Sequence, residues 1–305
     1  MLSPATTVQL PAILDHDLSH ALSTLVEKTS RSLASTIALW RNETAADPRP
    51  NNALDPISLD ILLHGYMHRR TVVDVATGGV HHQFSSPRDP DDEPARTHTS
   101  ARSYDKALVR SLAEGQASGT YLVINLPAAL SWSELRFSPF GCVPKKNTDL
   151  QEEARLIHDM SYPGEMSTNA SSTPTDLPDL AFESVRRIAQ RIEDLTRRYP
   201  LRPVKMLKGD VKTAFRLIPV APSLAAHFAG SCGDLAIIDL ALPFGWTGSP
   251  AHYGAFGGAI SFLVARESPS SLDPSECDDE PFFSFVWVDD HILLEVDRDN
   301  RLILA

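Results

Sequence analysis

Residues 285 to 295, FVWVDDHILLE, set the adjacent carboxylates Asp289 and Asp290 between two runs of strand-forming apolar residues. Phe285, Val286, Trp287 and Val288 before the pair, and Ile292, Leu293 and Leu294 after it, read as two short strands joined by a tight Asp-Asp turn. Two anions at a buried hairpin tip repel each other and lose hydration, so a cation is expected beside them. An Asp-Asp pair by itself is usually a solvated turn, and the pair needs further ligands before it means a metal site. The chain offers one in KMLKGDVKTAF, where Asp210 ends an extended run and precedes a helix-like KTAF. Mg2+ takes carboxylate and carbonyl oxygens. Asp210, Asp289 and the Val211 carbonyl are candidate ligands, with Asp290 either joining them or supporting the site. Two such ions are the usual device for in-line displacement at phosphorus.

The rest of the chain predicts how these segments are brought together. Residues 12 to 40 read as helix, with Leu18, Leu22, Leu25, Leu33 and Ile37 near helical spacing. ETAADPRPNNALDP is a linker by composition, and SSPRDPDDEPARTHTS (85 to 100) a second polar break. An amphipathic helix is expected over about 180 to 198. There follow a strand at 203 to 209, strands around 224 to 230 and 235 to 242, a helix at 248 to 265 and the hairpin at 283 to 296. Antiparallel strands with helices on one face make an α+β layer. In it, the end of the first strand and the tip of the last hairpin can meet.

Four segments also resemble, in order, the motifs of reverse transcriptases encoded by retroelements. SPFGCVPKK (138 to 146) with RLIHDMSYP (155 to 163) is similar to the fingers hairpin, and KGDVKTAFRLIPV (208 to 220) to the first catalytic palm motif. LPFGWTGSP (242 to 250) is similar to the template-and-nucleotide motif, and VWVDD (286 to 290) to the metal-binding hairpin. The flavour is that of gypsy-like and tyrosine-recombinase-type retrotransposons, and the likeness covers about residues 54 to 305. It implies a right-hand polymerase fold cut to fingers and palm. The division would be a helical extension and linker at 1 to 53, a fingers-like region at 54 to 200 and a palm at 201 to 305.

The resemblance also implies roles for single residues. Asp210, Asp289 and Asp290 would be catalytic, holding Mg2+, or Mn2+ in its place, together with the Val211 carbonyl. Phe215 matches the bulky ring beneath the incoming sugar, and Arg155 the planar cation that lies over the base and holds the triphosphate. Lys145 or Lys146 would face the γ-phosphate, and Asp159 falls where the family has a template-side acid. Phe244, Gly245 and Ser249 lie in the template-and-nucleotide segment, where Gly245 and Gly248 suit close approach of backbone to base. Ser249 lacks the strand-turn-helix setting of a nucleophilic serine. Trp287 stands where many relatives carry an aromatic hydroxyl, Phe244 where some carry glutamine, and Asp149, Glu152 and Glu153 weaken the fingers turn as a phosphate grip.

The implied activity is RNA-directed DNA polymerisation. A primer on an RNA or DNA template would be extended from dNTPs. The chain ends about fifteen residues after Asp290, so the expectation is a truncated chain whose thumb and ribonuclease H regions are supplied elsewhere in a longer polyprotein. The alternative is a non-catalytic retroelement fragment that binds nucleic acid or a protein partner.

Composition constrains the setting. Cys142, Cys232 and Cys277 are too scattered for a zinc pattern or disulfide framework, so a reducing compartment is the default. No apolar run reaches the roughly 18 residues a membrane span needs. The cytoplasm is the expected location, with nuclear entry open to an element that must reach chromosomal DNA. A net charge of -11 runs against nucleic-acid binding, but six arginines against three acids between Glu183 and Arg202 offer local basic surface. On their own, arginines on such a helix are more commonly a solvated face. His64/His68 and His81/His82 have no partner spaced to complete a metal site.

Overall fold

The computed structural model describes residues 13–85, 94–144, 154–179 and 183–305. Its strands are β1 (Tyr121–Asn125), β2 (Phe140–Pro144), β3 (Ala154–His158), β4 (Val204–Asp210), β5 (Ala229–Cys232), β6 (Leu235–Asp239), β7 (Ser284–Trp287) and β8 (Asp290–Val296). The chain divides into two compact units. One holds residues 1–52, 77–176 and 215–249, the other 53–76, 177–214 and 250–305.

In the first unit, β6 lies between β1 and β5 in an antiparallel sheet, and β2 pairs with β3 as a hairpin from Phe140↔His158 to Pro144↔Ala154. The Asp105–Ala117 helix supplies Leu108, Leu112 and Ala113 to a core shared with Tyr121, Val123, Phe140 and Ile237. Gly115 on that helix is filled by the Tyr121 ring, since a Cβ there would lie 2.0 Å from Cδ2. The single helix expected over 12 to 40 is instead two, His16–Thr29 and Leu33–Trp40. Ser30 turns left-handed at φ +50°, and Ser32 caps the second helix through the Ser35 N–H.

In the second unit the sheet runs β4-β8-β7, antiparallel throughout. The apolar stripe of the Arg186–Arg198 helix, Ile188 and Leu195, is buried, and Ile188 clusters with Phe285 and Leu294. The next residue along β7 points to the opposite face. There the Ser249–Val264 helix approaches, with Ser261 hydrogen-bonded to Ser284 at 3.0 Å and Gly257 against Val286. Helices therefore cover both faces of this sheet, where sequence periodicity pointed to one.

The expected strand positions at 203 to 209, 235 to 242 and 283 to 296 correspond to β4, β6 and β7–β8. The expected strand at 224 to 230 begins as a short helix, Pro222–Ala225, and becomes β5 only at Ala229. Moreover, β5 pairs with β6 and β6 with β1, not with the Asp-Asp hairpin. Mixed helices and small antiparallel sheets are thus the architecture. No helix among the described residues is long and apolar enough to cross a membrane.

Candidate active site

The site is built by strand pairing in the second unit. β4 and β8 run antiparallel with Asp210 directly opposite Asp290, and β8 pairs with β7 through Trp287↔Asp290. The hairpin loop is therefore Val288-Asp289, with Asp290 already in the strand, a one-residue correction to the expected Asp-Asp turn. The Val211 N–H donates to the Asp289 carbonyl at 3.0 Å and ties the exit of β4 to the turn. Carboxylate oxygens of Asp210, Asp289 and Asp290 lie within 4.8 Å of one another. Among the described residues, this is the group of His, Cys, Asp or Glu side chains close enough to share a metal ion.

The trio is less buried than the apolar flanks suggest. Asp210 is exposed, and Asp289 and Asp290 are half-buried. Like charges directly opposite on a sheet are unfavourable, and among the described residues a lysine compensates them. Lys208, two residues before Asp210, places Nζ 2.9 Å from Asp290 Oδ2. That hydrogen bond, with the negative charge of all three carboxylates, holds its ammonium above the usual lysine range. The donor set is entirely hard oxygen, which fits Mg2+ or Mn2+. The Val211 carbonyl accepts the Ala214 N–H at 3.1 Å, so one of its two lone pairs is already engaged.

Four further residues surround the trio. Val288 is held at φ +56°, a left-handed conformation rarely adopted by a β-branched residue. Gly257 faces that turn, and a Cβ there would sit 3.1 Å from the Val288 carbonyl oxygen. Tyr253 is buried, and its hydroxyl is pushed up to about 12 by burial and by the charges of Asp289 and Asp210. His291 is buried on the other side of β8, its ring nitrogens without hydrogen-bond partners among the described residues. Burial lowers its pKa against the pull of Asp290 and Asp289.

The expected nucleotide-side residues lie in the first unit, Lys145 and Lys146 excepted, which fall outside the described residues. Arg155 is exposed on β3, opposite Val143. Asp159 is engaged by His98 Nε2 at 2.9 Å and by the Ser161 N–H at 3.1 Å. Phe215 is buried and packs on Phe244 with centroids 4.9 Å apart, while Phe244 keeps 43% of its surface exposed.

Gly245 is required, but by the protein itself. At φ +131° a Cβ would lie 1.9 Å from the His158 carbonyl oxygen, so the close approach is to β3. Gly248 is likewise covered by the Trp246 ring. Ser249 is fully buried and donates to the Pro243 carbonyl at 2.8 Å, which locks the turn. Asn169, a residue the motifs did not single out, clamps this turn. Its amide donates to the Gly245 carbonyl at 2.8 Å and to Ser161 Oγ at 2.9 Å, and its oxygen accepts the Thr247 N–H at 2.9 Å.

Acidic neighbours engage several arginines of the basic helix. Arg187 pairs with Glu183, Arg197 with Glu193, and Arg198 with Asp194 and Glu280. Arg191 reaches Glu280 at 3.2 Å, so the acidic loop near 278 to 280 neutralises part of the helix. His82 forms a hydrogen-bond lock: Nε2 accepts from Ser172 Oγ and the Thr173 N–H, and Nδ1 lies 3.3 Å from Asp176. Ser172 is buried and its oxygen also accepts Trp246 Nε1–H, so this Ser-His-Asp arrangement presents no open nucleophile.

No protein-family model and no curated protein matches the chain. Among solved structures, a prototype foamy virus protease-reverse transcriptase CSH mutant is 14% identical over 97% of this chain, with TM-score 0.47. The foamy viral protease-reverse transcriptase dRH in complex with double-stranded DNA is 13% identical over 79% of it, with TM-score 0.43. The chain spans 31% and 38% of those chains respectively. These are weak neighbours, and the carboxylate geometry and motif order carry the functional reading.

Proposed function

We propose that this chain is the fingers-and-palm portion of a retroelement reverse transcriptase, an RNA-directed DNA polymerase of the gypsy-like or tyrosine-recombinase type. The observation that supports it best is the pairing of Asp210 with Asp290, with Asp289 in the adjoining turn. Two segments some eighty residues apart thus deliver the carboxylates that the motif order calls for. In this reading β2–β3 is the fingers hairpin and the β4-β8-β7 sheet belongs to the palm.

Asp210 and Asp289 would hold two Mg2+ or Mn2+ ions, with the Val211 carbonyl as a further oxygen. When bound, such ions supply Lewis acidity at the attacking primer 3′-hydroxyl and at the leaving pyrophosphate. The residues of the chain do the positioning. The Val211 N–H fixes the Asp289 backbone, the β4–β8 register fixes Asp210 against Asp290, and exposure of Asp210 leaves the cluster open to a triphosphate. Arg155 and a lysine of the 145 to 146 pair would bind dNTP phosphates, and the Phe215–Phe244 pair would bound the sugar.

Primer extension on oligo(dT)-primed poly(rA), with Mg2+ or Mn2+, tests the reading against Asp289→Asn. Extension by the parent and its loss in the variant is the expected result. A folded parent that binds the primed template without extending it would instead favour a non-catalytic retroelement fragment.

A further inference from the structure

The motif-based assignment leaves Lys208 without a task. It projects from β4, whose Lys208 faces Ile292 while Asp210 faces Asp290, so its side chain runs along the strand to reach the second carboxylate. Its ammonium lies 2.9 Å from Asp290 Oδ2, and both groups retain solvent contact, at 58% and 33% of their side-chain surface. An exposed lysine gains little from a single surface ion pair. Here it sits at the edge of three carboxylates whose oxygens are within 4.8 Å, so its charge acts on the whole group.

We infer that Lys208 is a positioning residue that neutralises Asp290, leaves Asp210 and Asp289 as the metal-holding pair, and sets the divalent-ion affinity of the site. The inference rests on the metal reading proposed above. Its physical content is a charge count. Three carboxylates and one ammonium leave a net charge of -2. Removing the ammonium raises this to -3, and removing the Asp290 charge alone lowers it to -1. Removing both restores -2. If Asp290 acts through charge and not as a ligand, the double change returns the affinity of the parent.

The test is Mn2+ binding to the full chain at fixed ionic strength, measured by calorimetry or by the loss of free-Mn2+ paramagnetic signal. Lys208→Met is expected to tighten binding about tenfold, the scale of one charge acting on a divalent ion a few ångströms away in a water-like dielectric. Asp290→Asn is expected to weaken it by a similar factor, the double variant to return near the parent value, and Lys208→Arg to leave it unchanged. Unchanged or weaker binding by Lys208→Met, in a chain that binds Mn2+, overturns the inference alone. A double variant as weak as Asp290→Asn does the same, because it makes Asp290 a direct ligand. Absence of Mn2+ binding in the parent and every variant overturns the metal reading and the inference with it. Lys208 is exposed, so loss of folding is not expected, and circular dichroism of each variant verifies that.

Discussion

Replacing Gly257 with alanine separates the stability of a helix from the geometry of the site it supports. In a helix interior the change is worth about 1 kcal/mol in favour of alanine. The added Cβ would meet the Val288 carbonyl oxygen at 3.1 Å, with Tyr253 Cε1 and Val286 Cγ2 at 3.4 Å. That carbonyl cannot recede freely. Val288 is already at φ +56°, and the next carbonyl, of Asp289, is bonded to the Val211 N–H at 3.0 Å. The turn must therefore shift by a few tenths of an ångström, at a cost of about 1 kcal/mol, the low end for overpacking. The two effects offset each other, so the urea midpoint should move by less than about 1 kcal/mol in equivalent stability. The carboxylate of Asp289 moves with the turn. Mn2+ affinity and primer extension should then fall about tenfold, since misplacement by a full ångström costs about 10²-fold. A Gly257→Ala chain stabilised by the whole helix-propensity gain, with the Mn2+ affinity of the parent, would refute the reasoning. It would mean that the hairpin tip yields freely and that Gly257 does not set Asp289.

Other perturbations test the surrounding architecture. Arg301 is buried against a fully buried Glu295 and also bonds Asp278 at 2.8 Å and the Pro281 carbonyl at 3.0 Å. Arg301→Met should cost about 3–5 kcal/mol in urea unfolding by stranding Glu295, and a loss below about 1 kcal/mol would show that Arg191, 3.6 Å from Glu295, suffices as its partner. Gly245→Ala forces a Cβ to 1.9 Å from the His158 carbonyl at φ +131°, so a loss of about 3 kcal/mol or more is expected; an unchanged midpoint would disprove the contact. His227, stacked on Phe84, is pushed down to about 4 by burial and by Arg136 and His82. The unfolded chain takes up this proton near pH 6.5 and the native chain does not. Stability from this group is therefore complete above about pH 6.5 and lost as pH falls toward 4, by at most about 3 kcal/mol. His227→Phe should flatten that part of the pH profile of urea midpoints, and an equally steep profile would assign the acid sensitivity elsewhere.

What could be read from the sequence was local. The hairpin of β7 and β8 follows from β-branched and aromatic runs, Val204–Asp210 from a short extended run before KTAF, and the Ser249–Val264 helix from the turn-then-helix pattern of LPFGWTGSPAHYGAFGGAI. That Asp210 meets the hairpin tip was legible because a strand end and a hairpin tip are natural neighbours in an antiparallel sheet, though the residue directly opposite it is Asp290 and not Asp289. The turn was misread by one residue because adjacent aspartates look like turn residues, whereas the register Trp287↔Asp290 places the loop at Val288-Asp289. Which sheet β5 and β6 join is a long-range choice, made by pairing with β1 more than a hundred residues earlier. The partners of the Arg186–Arg198 helix were hidden for the same reason, since Arg191 and Arg198 find Glu280 over eighty residues away. A glycine in the sequence does not reveal whether a ligand or the protein fills the space beside it, and at Gly245 the His158 carbonyl does.

The strongest physical case for function at the hairpin is the concentration of unfavourable local choices in so few residues. Asp210 faces Asp290 across a strand pair, where opposite charges or apolar side chains would serve the sheet better. The two-residue loop gives its left-handed position to valine, where asparagine or glycine would relieve the backbone. The helix behind it carries Gly257, giving up about 1 kcal/mol of propensity. Each departure could be a local accident. Together they have one geometric result, which is to hold Asp289 at the tip of a turn, tied to Val211 and within 4.8 Å of two other carboxylates. Natural chains break local rules at functional sites and compensate elsewhere. The buried Arg301–Glu295 pair and the apolar cluster of Ile188, Phe285 and Leu294 on the same sheet provide that compensation. They anchor β7 and β8 away from the tip, so the charged end can stay open to solvent without loosening the strands that position it.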